Sequence, residues 1–427
     1  MQYDKIGNHL RLSQYGISIE MNIDGIGYPI YRMNEIHNML CDIEVDKFAD
    51  ISEEEYIPFS LKKGDVLFNR TNSFEWVGRT GVYYPANRDN EYTFASYLVR
   101  FNTTEDTILP EYLCAYLNSC YGVWDIKRRS RQSINQTNVN PEEVKEIEIP
   151  LLQMELQQKI KECFEYANVL RLQSRIAYNK ANFYLNKILD MDSFTQTNKT
   201  ITEKRLEDFI GSGRLDAEYY LPKYDDLTSL VISHQTGYDK IENLYLLKDR
   251  NYTPEEGLIY KYIELSNIGT DGSITGHTEA YGEELPSRAR RIVRAGDLII
   301  SSLEGSLQSC AIIPEQYDGA ICSTGFYVLT PREINVETSL VLFKSQLVQE
   351  LMRRICSGSI MAAMNTDEFM NIIIPKIDQP TQHLIKETVH ESAQKREESI
   401  RLLELAKSAV EVAIEQGEDK ALELLTQ

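Results

Sequence analysis

The sequence predicts an α+β protein: two mixed strand-and-helix globules at the ends of a long antiparallel two-helix coiled coil, related by an internal pseudo-two-fold repeat. Three observations predict it. The chain has 427 residues, more than one hydrophobic core usually serves. Ordered blocks recur at a slowly drifting offset. After each set of blocks comes an apolar periodicity long enough for a helix of about 36 residues, spanning about 54 Å.

The repeat comes first because missing it would misread the whole architecture. Gly64-Asp65-Val66-Leu67-Phe68 matches Gly296-Asp297-Leu298-Ile299-Ile300, and Met33-Asn34-Glu35-Ile36 matches Leu265-Ser266-Asn267-Ile268, both 232 residues on. Tyr84-Pro85 pairs with Ile313-Pro314, and Tyr97-Leu98-Val99 with Phe326-Tyr327-Val328, at an offset of 229, so three residues are lost from a loop of the second copy. Glu146-Ile147-Glu148-Ile149-Pro150 matches Asn371-Ile372-Ile373-Ile374-Pro375 at 225, followed by Gln157 and Ile160 against Gln382 and Ile385.

Beyond each Ile-Pro step the apolar residues fall near a 3.5-residue spacing. The first run holds Leu156, Ile160, Cys163, Ala167, Leu170, Ala177, Ala181 and Ile188; the second holds Ile385, Val389, Ile400, Leu403, Ala406, Val410 and Ala413, with Arg396 interrupting it. Two unrelated amphipathic helices, each on its own domain, are the alternative. Their length favours a mutual pair, because a 150-residue globule cannot cover it. The predicted divisions are a first globule over 1–150, a first helix over 151–192, a polar linker over 193–211, a second globule over 212–376, and a second helix and tail over 377–427.

Composition narrows the function. With 45 basic against 65 acidic residues the net charge is −20, which argues against a protein that coats nucleic acid nonspecifically. A nucleic-acid reader of this balance must concentrate its cations, and two clusters do so: Lys127, Arg128, Arg129 and Arg131, then Arg288, Arg290, Arg291 and Arg294. The seven cysteines form no C-x-x-C pair, no N-terminal apolar leader is evident, and no run of 18 apolar residues occurs, so a reducing cytoplasm and no membrane are expected.

The stretch GDVLFNRTNSFEWVGRTGVYY at 64–84 interrupts an apolar strand with Asn69, Arg70, Thr71 and Asn72. Most such loops are solvated turns. Yet Arg can read guanine O6 and N7 and Asn can read adenine N6 and N7, so these residues form a candidate major-groove tip. Ser301 and Ser302 occupy the matching positions of the second copy, so the framework repeats and the tip does not. Arg79 and the polar run Gln132, Asn135, Gln136 and Asn138 add donors for phosphates and base edges. No phosphate-binding loop, dinucleotide fingerprint, nucleophile elbow or amino-methyltransferase stretch is present, and the six histidines are scattered. No catalytic or metal-ligating set emerges.

The chain resembles the specificity (S) subunits of type I restriction-modification systems. The 64–84 stretch is similar to that family's first target-recognition domain, RLDAEYYLPKY at 214–224 to the start of its second, and the Ile-Pro step with Gln-x-x-Ile to the start of its conserved helices. The resemblance implies two target-recognition domains reading a bipartite double-stranded DNA site. It also implies helices that dock two methyltransferase (modification) subunits, with restriction subunits in the larger complex. The chain itself would hold no cofactor, with S-adenosylmethionine, ATP and Mg2+ on partner subunits, and would be a non-catalytic recognition and scaffold subunit. The rival readings are an acidic coiled-coil adaptor that binds only protein, and an enzyme with an unfamiliar site.

Overall fold

The repeated Gly-Asp pair is a turn that launches a buried strand. In the computed structural model, which describes residues 1–426 apart from 87–90, 135, 192, 196, 198, 270 and 359–361, Gly64 has φ +88° and Gly296 +83°, a conformation that favours glycine. The following carboxylates close the turns: Asp65 accepts the Lys62 N–H at 2.9 Å and Asp297 the Arg294 N–H at 2.8 Å. Val66–Asn69 and Leu298–Ser301 then run as strands with every residue buried.

Described residues form two compact units, Met1–Ser174 with Gln394–Gln427, and Arg175–Ala393. These units divide each long helix near its middle, whereas the sequence-based divisions fall at helix starts. In the first unit, Val66–Asn69 lies between Leu98–Thr103 and Thr80–Val82 in a six-stranded sheet that begins with Leu10–Tyr15. In the second, Leu298–Ser301 lies between Phe326–Pro331 and Cys310–Ile312 in a four-stranded sheet that begins with Tyr245–Leu247. Those four strands follow the same order in both. Two consecutive helices cover the sheet in each unit, Pro110–Asn118 with Cys120–Arg129, and Val336–Lys344 with Gln346–Ile355.

The structure extends the repeat to residues that the motif comparison leaves out. Tyr3–Lys5 pairs antiparallel with Glu148–Pro150, and Tyr238–Lys240 with Ile373–Pro375. Asp4 accepts from the Lys5 N–H at 2.8 Å and the Asn8 amide at 2.7 Å; Asp239 accepts from Lys240 at 2.9 Å and Asn243 at 2.7 Å. Tyr-Asp-Lys-Ile at 3–6 and 238–241 is therefore one more copy of the same unit, and each Ile-Pro step is the strand it zips to.

The long helices are Met154–Ile188 and Gln379–Gln416. The second stops at Gly417, φ +97°, and a separate helix, Glu418–Leu425, follows. The stretch expected to be linker runs into a short helix, Leu206–Ser212. Within the first unit the helix segments run antiparallel: Lys395 Nζ donates to Gln173 at 2.8 Å, Ser399 Oγ to the Ala167 carbonyl at 2.7 Å, and the Gln153 N–H to Glu418 at 2.7 Å. Leu156, Ile160, Phe164, Ala167 and Leu170 share one core with Leu402, Leu403, Ala406 and Val410. The seam differs from the predicted one at three points. Phe164 is fully buried where Cys163 is expected, Leu185 and Leu189 are buried beside a half-buried Ile188, and Ile400 is 36% exposed while Ser399 and Leu402 face inward. Within the second unit, Ala181 and Leu185 share a core with Ile385 and Val389.

One buried glutamine ties each helix to its globule. Gln157 accepts the Leu109 N–H at 2.9 Å and donates to the carbonyls of Thr107 at 3.0 Å and Leu152 at 2.9 Å. Gln382 accepts the Asn335 N–H at 2.9 Å and donates to the Ile377 carbonyl at 2.8 Å. Leu109 and Asn335 are the N-cap residues of the covering helices, so the glutamine satisfies a donor that has no partner within its helix. Gln157→Ala should cost about 2–4 kcal/mol of stability, since it leaves buried groups unpaired. Urea unfolding of the variant beside the parent chain checks this.

Candidate nucleic-acid interface

The tip grows out of the far end of the central strand. After Asn69 the chain turns through Arg70 into Thr71–Asn72, which pairs with Thr137–Asn138, which in turn pairs with Arg131–Gln132. Thr71 Oγ1 donates to Asn138 Oδ1 at 2.6 Å. Two stretches separated by about 60 residues in sequence thus become one small three-stranded ribbon, and the basic cluster is brought to the polar tip.

Within this ribbon the predicted residues divide by burial. Asn69 is fully buried; its amide donates to the Met33 carbonyl at 3.2 Å and its Oδ1 accepts the Thr71 N–H at 3.3 Å. Thr71 is buried as well. Neither side chain faces solvent here, because the turn out of the strand leaves backbone donors that only a nearby side chain can satisfy. Ser301 repeats this arrangement: fully buried, it accepts the Leu303 N–H at 3.1 Å and bonds the Ser306 hydroxyl at 2.8 Å. Ser302 donates to the Gly325 carbonyl at 3.0 Å. The Asn-to-Ser difference between the copies is therefore a change within the framework.

Arg70 and Asn72 lie at intermediate depth. Arg70 places its guanidinium 5.0 Å from the Tyr15 ring, and its Nε is buried with no hydrogen-bond partner. The Asn72 side chain accepts the Ser73 N–H at 2.8 Å. Gln132 and Gln136 are exposed on the ribbon, and Asn135 lies outside the described residues.

The cations sort into two electrostatic groups. Arg128 and Arg129 both meet Asp125, each at 2.6 Å, Arg131 meets Glu143 at 2.7 Å, and in the second unit Arg294 meets Asp318 at 3.3 Å. Arg70, Arg79, Lys127, Arg288, Arg290 and Arg291 take part in none of the ion pairs among the described residues. Arg290 Nε donates to the Ser287 carbonyl at 3.1 Å, Arg288 is exposed, and Arg291 Nη1 is buried with no hydrogen-bond partner. The second group has no carboxylate within ion-pair distance, though Asp42 acts on Arg79 and Glu75 on Lys127 from further off.

Two of those cations hold the loop that follows the tip. Arg79 lies 3.1 Å from the centre of the Trp76 ring, and burial pushes its pKa down to about 10, which leaves it charged at neutral pH. Lys127 Nζ donates to the carbonyls of Phe74, Glu75 (3.2 Å) and Val77 (2.9 Å) and sits 5.0 Å from the Phe74 ring; burial lowers its pKa too. Gly78, at φ +91°, lets the loop lie on the helix beneath, since a Cβ there would come within 2.6 Å of Ile126 Cγ2. Lys127 is thus a loop anchor as well as a cation. Sequence reasoning missed Phe74 and Trp76, whose signal was two aromatics inside an otherwise polar loop.

Residues 18–167 match the family described as Type I restriction modification DNA specificity domain. A putative type I restriction enzyme MjaX specificity subunit from Methanocaldococcus jannaschii is 28% identical over 152 residues, 35% of this chain and 35% of that protein. The type I restriction enzyme EcoKI specificity subunit of Escherichia coli K12 is 27% identical over 180 residues, 41% of this chain and 38% of that one. The chain thus spans a little over a third of the length of these curated relatives. The crystal structure of a type I restriction-modification system S subunit from M. genitalium is 16% identical and aligns over 99% of this chain and 95% of that one with a TM-score of 0.41.

Lys127→Met keeps the length of the side chain and removes its three donations to the loop. It should cost about 1–2 kcal/mol and speed hydrogen exchange of the Val77 and Gly78 amides while leaving the sheet amides unchanged. Exchange measured by mass spectrometry or NMR reads both.

Proposed function

We propose, from the match of residues 18–167 to the type I restriction modification DNA specificity domain family, that the chain is the sequence-specific DNA-recognition and scaffold subunit of a type I restriction-modification complex. Each unit reads one half of a bipartite double-stranded site. What carries the reading is the pairing of one repeated framework with two different sets of cations that take part in no ion pair among the described residues, those at the Arg70 tip and those along Ala289–Ile292.

Base reading falls to the side chains that the tip leaves available, Arg70, Asn72 and Gln132, because Asn69 and Thr71 are consumed in holding the turn. Arg128, Arg129 and Arg131 can exchange a carboxylate for a phosphate, a smaller net gain than an unpaired cation offers. In the second unit Arg288, Arg290 and Arg291 take the corresponding part. In this reading the two long helices pair antiparallel, act as the spacer between the two half-sites and dock two methyltransferase subunits, with restriction subunits joining outside them. The chain is non-catalytic; S-adenosylmethionine, ATP and Mg2+ belong to the partner subunits. Among the described residues no helix is long and apolar enough to cross a membrane.

Arg70→Ala should weaken binding by about 1–3 kcal/mol and relax specificity within one half-site. Arg128→Ala should weaken binding across all sequences and lower the salt slope by less than one full phosphate contact, since Arg128 shares the Asp125 carboxylate with Arg129. Titrations of the methyltransferase complex against duplex DNA at graded salt separate the two, and wild-type behaviour in both variants would place the DNA elsewhere.

The helix pair as a spacer has its own test. Four residues inserted after Arg175, with a matching turn near Arg396, lengthen each helix by about 6 Å, close to two base pairs of B-DNA. The methylated motif mapped in cells should keep both half-sites and gain one or two base pairs of spacer. An active variant with an unchanged spacer would show that the helices serve docking alone.

A further inference from the structure

We propose that Phe74 and Trp76 form an aromatic wedge with which the first unit opens a base step in the half-site it reads, an inference that rests on the DNA-reading function above and assigns one mechanism to it. Phe74 is 45% and Trp76 48% exposed, two large rings on one loop that follows directly from the Arg70–Asn72 tip. Three constraints hold the loop. Its Trp76 and Val77 amides donate to the Ser73 carbonyl at 3.2 and 2.9 Å, Lys127 clasps its carbonyls, and Gly78 seats it on Ile126. The rings are therefore presented by a fixed loop, and little conformational entropy remains to be lost when they are engaged.

Charge decides which partner suits them. Arg79 lies on one face of the Trp76 ring and Lys127 beside Phe74, and neither cation has a carboxylate partner among the described residues. The one acidic side chain of the loop, Glu75, accepts from Ser73 Oγ at 3.4 Å. A protein surface packed over the rings would desolvate two cations that feel Asp42 and Glu75 only at a distance and have no ion pair of their own, an unfavourable burial. DNA brings both complements together, a stacked base for the open ring faces and a phosphate for the cations within a few ångströms of it. Apolar side chains that enter between base steps kink the duplex, and the unstacking cost is recovered in the contacts that the bend permits.

The wedge is one-sided. The corresponding loop of the second unit, Leu303 to Leu307, reads Leu-Glu-Gly-Ser-Leu and carries no aromatic ring. The first half-site should therefore be read partly through how readily one step opens, and the second should not.

The test uses the full chain in its methyltransferase complex and duplexes carrying the mapped site, with 2-aminopurine placed singly through each half-site at positions other than the methylated bases and their neighbours, since a methyltransferase flips its target base on its own account. Unstacking raises 2-aminopurine fluorescence. The expected result is a rise at one step of the first half-site and none in the second. Phe74→Ala with Trp76→Ala should abolish the rise and weaken binding roughly five- to hundredfold, the range expected for one lost stacking contact. Trp76→Phe keeps a ring and should keep the signal, which separates loss of the wedge from loss of the loop's fold. Trp124→Phe, on an exposed face of the helix beneath, should change nothing. Specific binding by the parent chain with no fluorescence rise in the first half-site, or a double variant that binds and unstacks as the parent does, overturns the wedge and leaves the DNA-reading function standing. Absence of any specific binding by the parent complex overturns both.

Discussion

A buried carboxylate stands at the root of each central strand, and its need for compensation organises the rest. Asp65 and Asp297 are 3% and 2% exposed. Asp65 meets Arg100 at 3.2 Å together with the Asn102 amide; Asp297 meets Lys248 Nζ at 2.7 Å and the Thr330 hydroxyl at 2.7 Å. An isolated charge at that depth would be prohibitive, so the partners must arrive in register. Arg100 and Asn102 lie on the strand paired to Val66–Asn69, and Thr330 on the strand paired to Leu298–Ser301. Satisfying the carboxylate fixes the alignment of those strands, and that alignment decides where the strand ends and the tip begins.

From that end outward, hydrogen bonding and charge separate framework from contact surface. Asn69 and Ser301 differ in sequence and do the same work, closing the first turn by accepting the N–H two residues on. A residue occupied in that way has no freedom to read a base. The cations show the same division. Those beside Asp125, Glu143 and Asp318 are ion-paired within the fold, Arg128 and Arg129 sharing the single charge of Asp125, while Arg70, Arg79, Lys127, Arg288, Arg290 and Arg291 take part in no ion pair among the described residues. A chain of net charge −20 can present positive potential locally only by keeping carboxylates away from a few of its cations.

Much of the architecture was legible because it depends on local pattern. The repeat, the strand after each Gly-Asp turn and the helix after each Ile-Pro step all follow from periodicity and glycine conformation. The helix seam was legible except where a wide apolar face offers two neighbouring residues: Phe164 takes the place of Cys163, Leu185 and Leu189 that of Ile188, and Leu402 that of Ile400, because only packing decides which of the neighbours fills the core. The short Tyr-Asp-Lys-Ile repeat was visible in principle but carries too few apolar residues to stand out before its pairing with the Ile-Pro strands is seen.

The sequence by itself determined which residues could contact nucleic acid, since a side chain's donors, charge and aromatic surface are properties of the residue. Only the tertiary structure decided which of them are available, because availability depends on neighbours distant in sequence. Asn138 joins the basic cluster to the tip through Thr71, and Lys127 spends its donors on the carbonyls of residues 74–77. Neither pairing has a periodicity to betray it, unlike the i,i+3 and i,i+4 spacing that sets Arg128 and Arg129 beside Asp125. Each arises because the buried strand places two loops side by side, where unsatisfied backbone groups and charges must find one another.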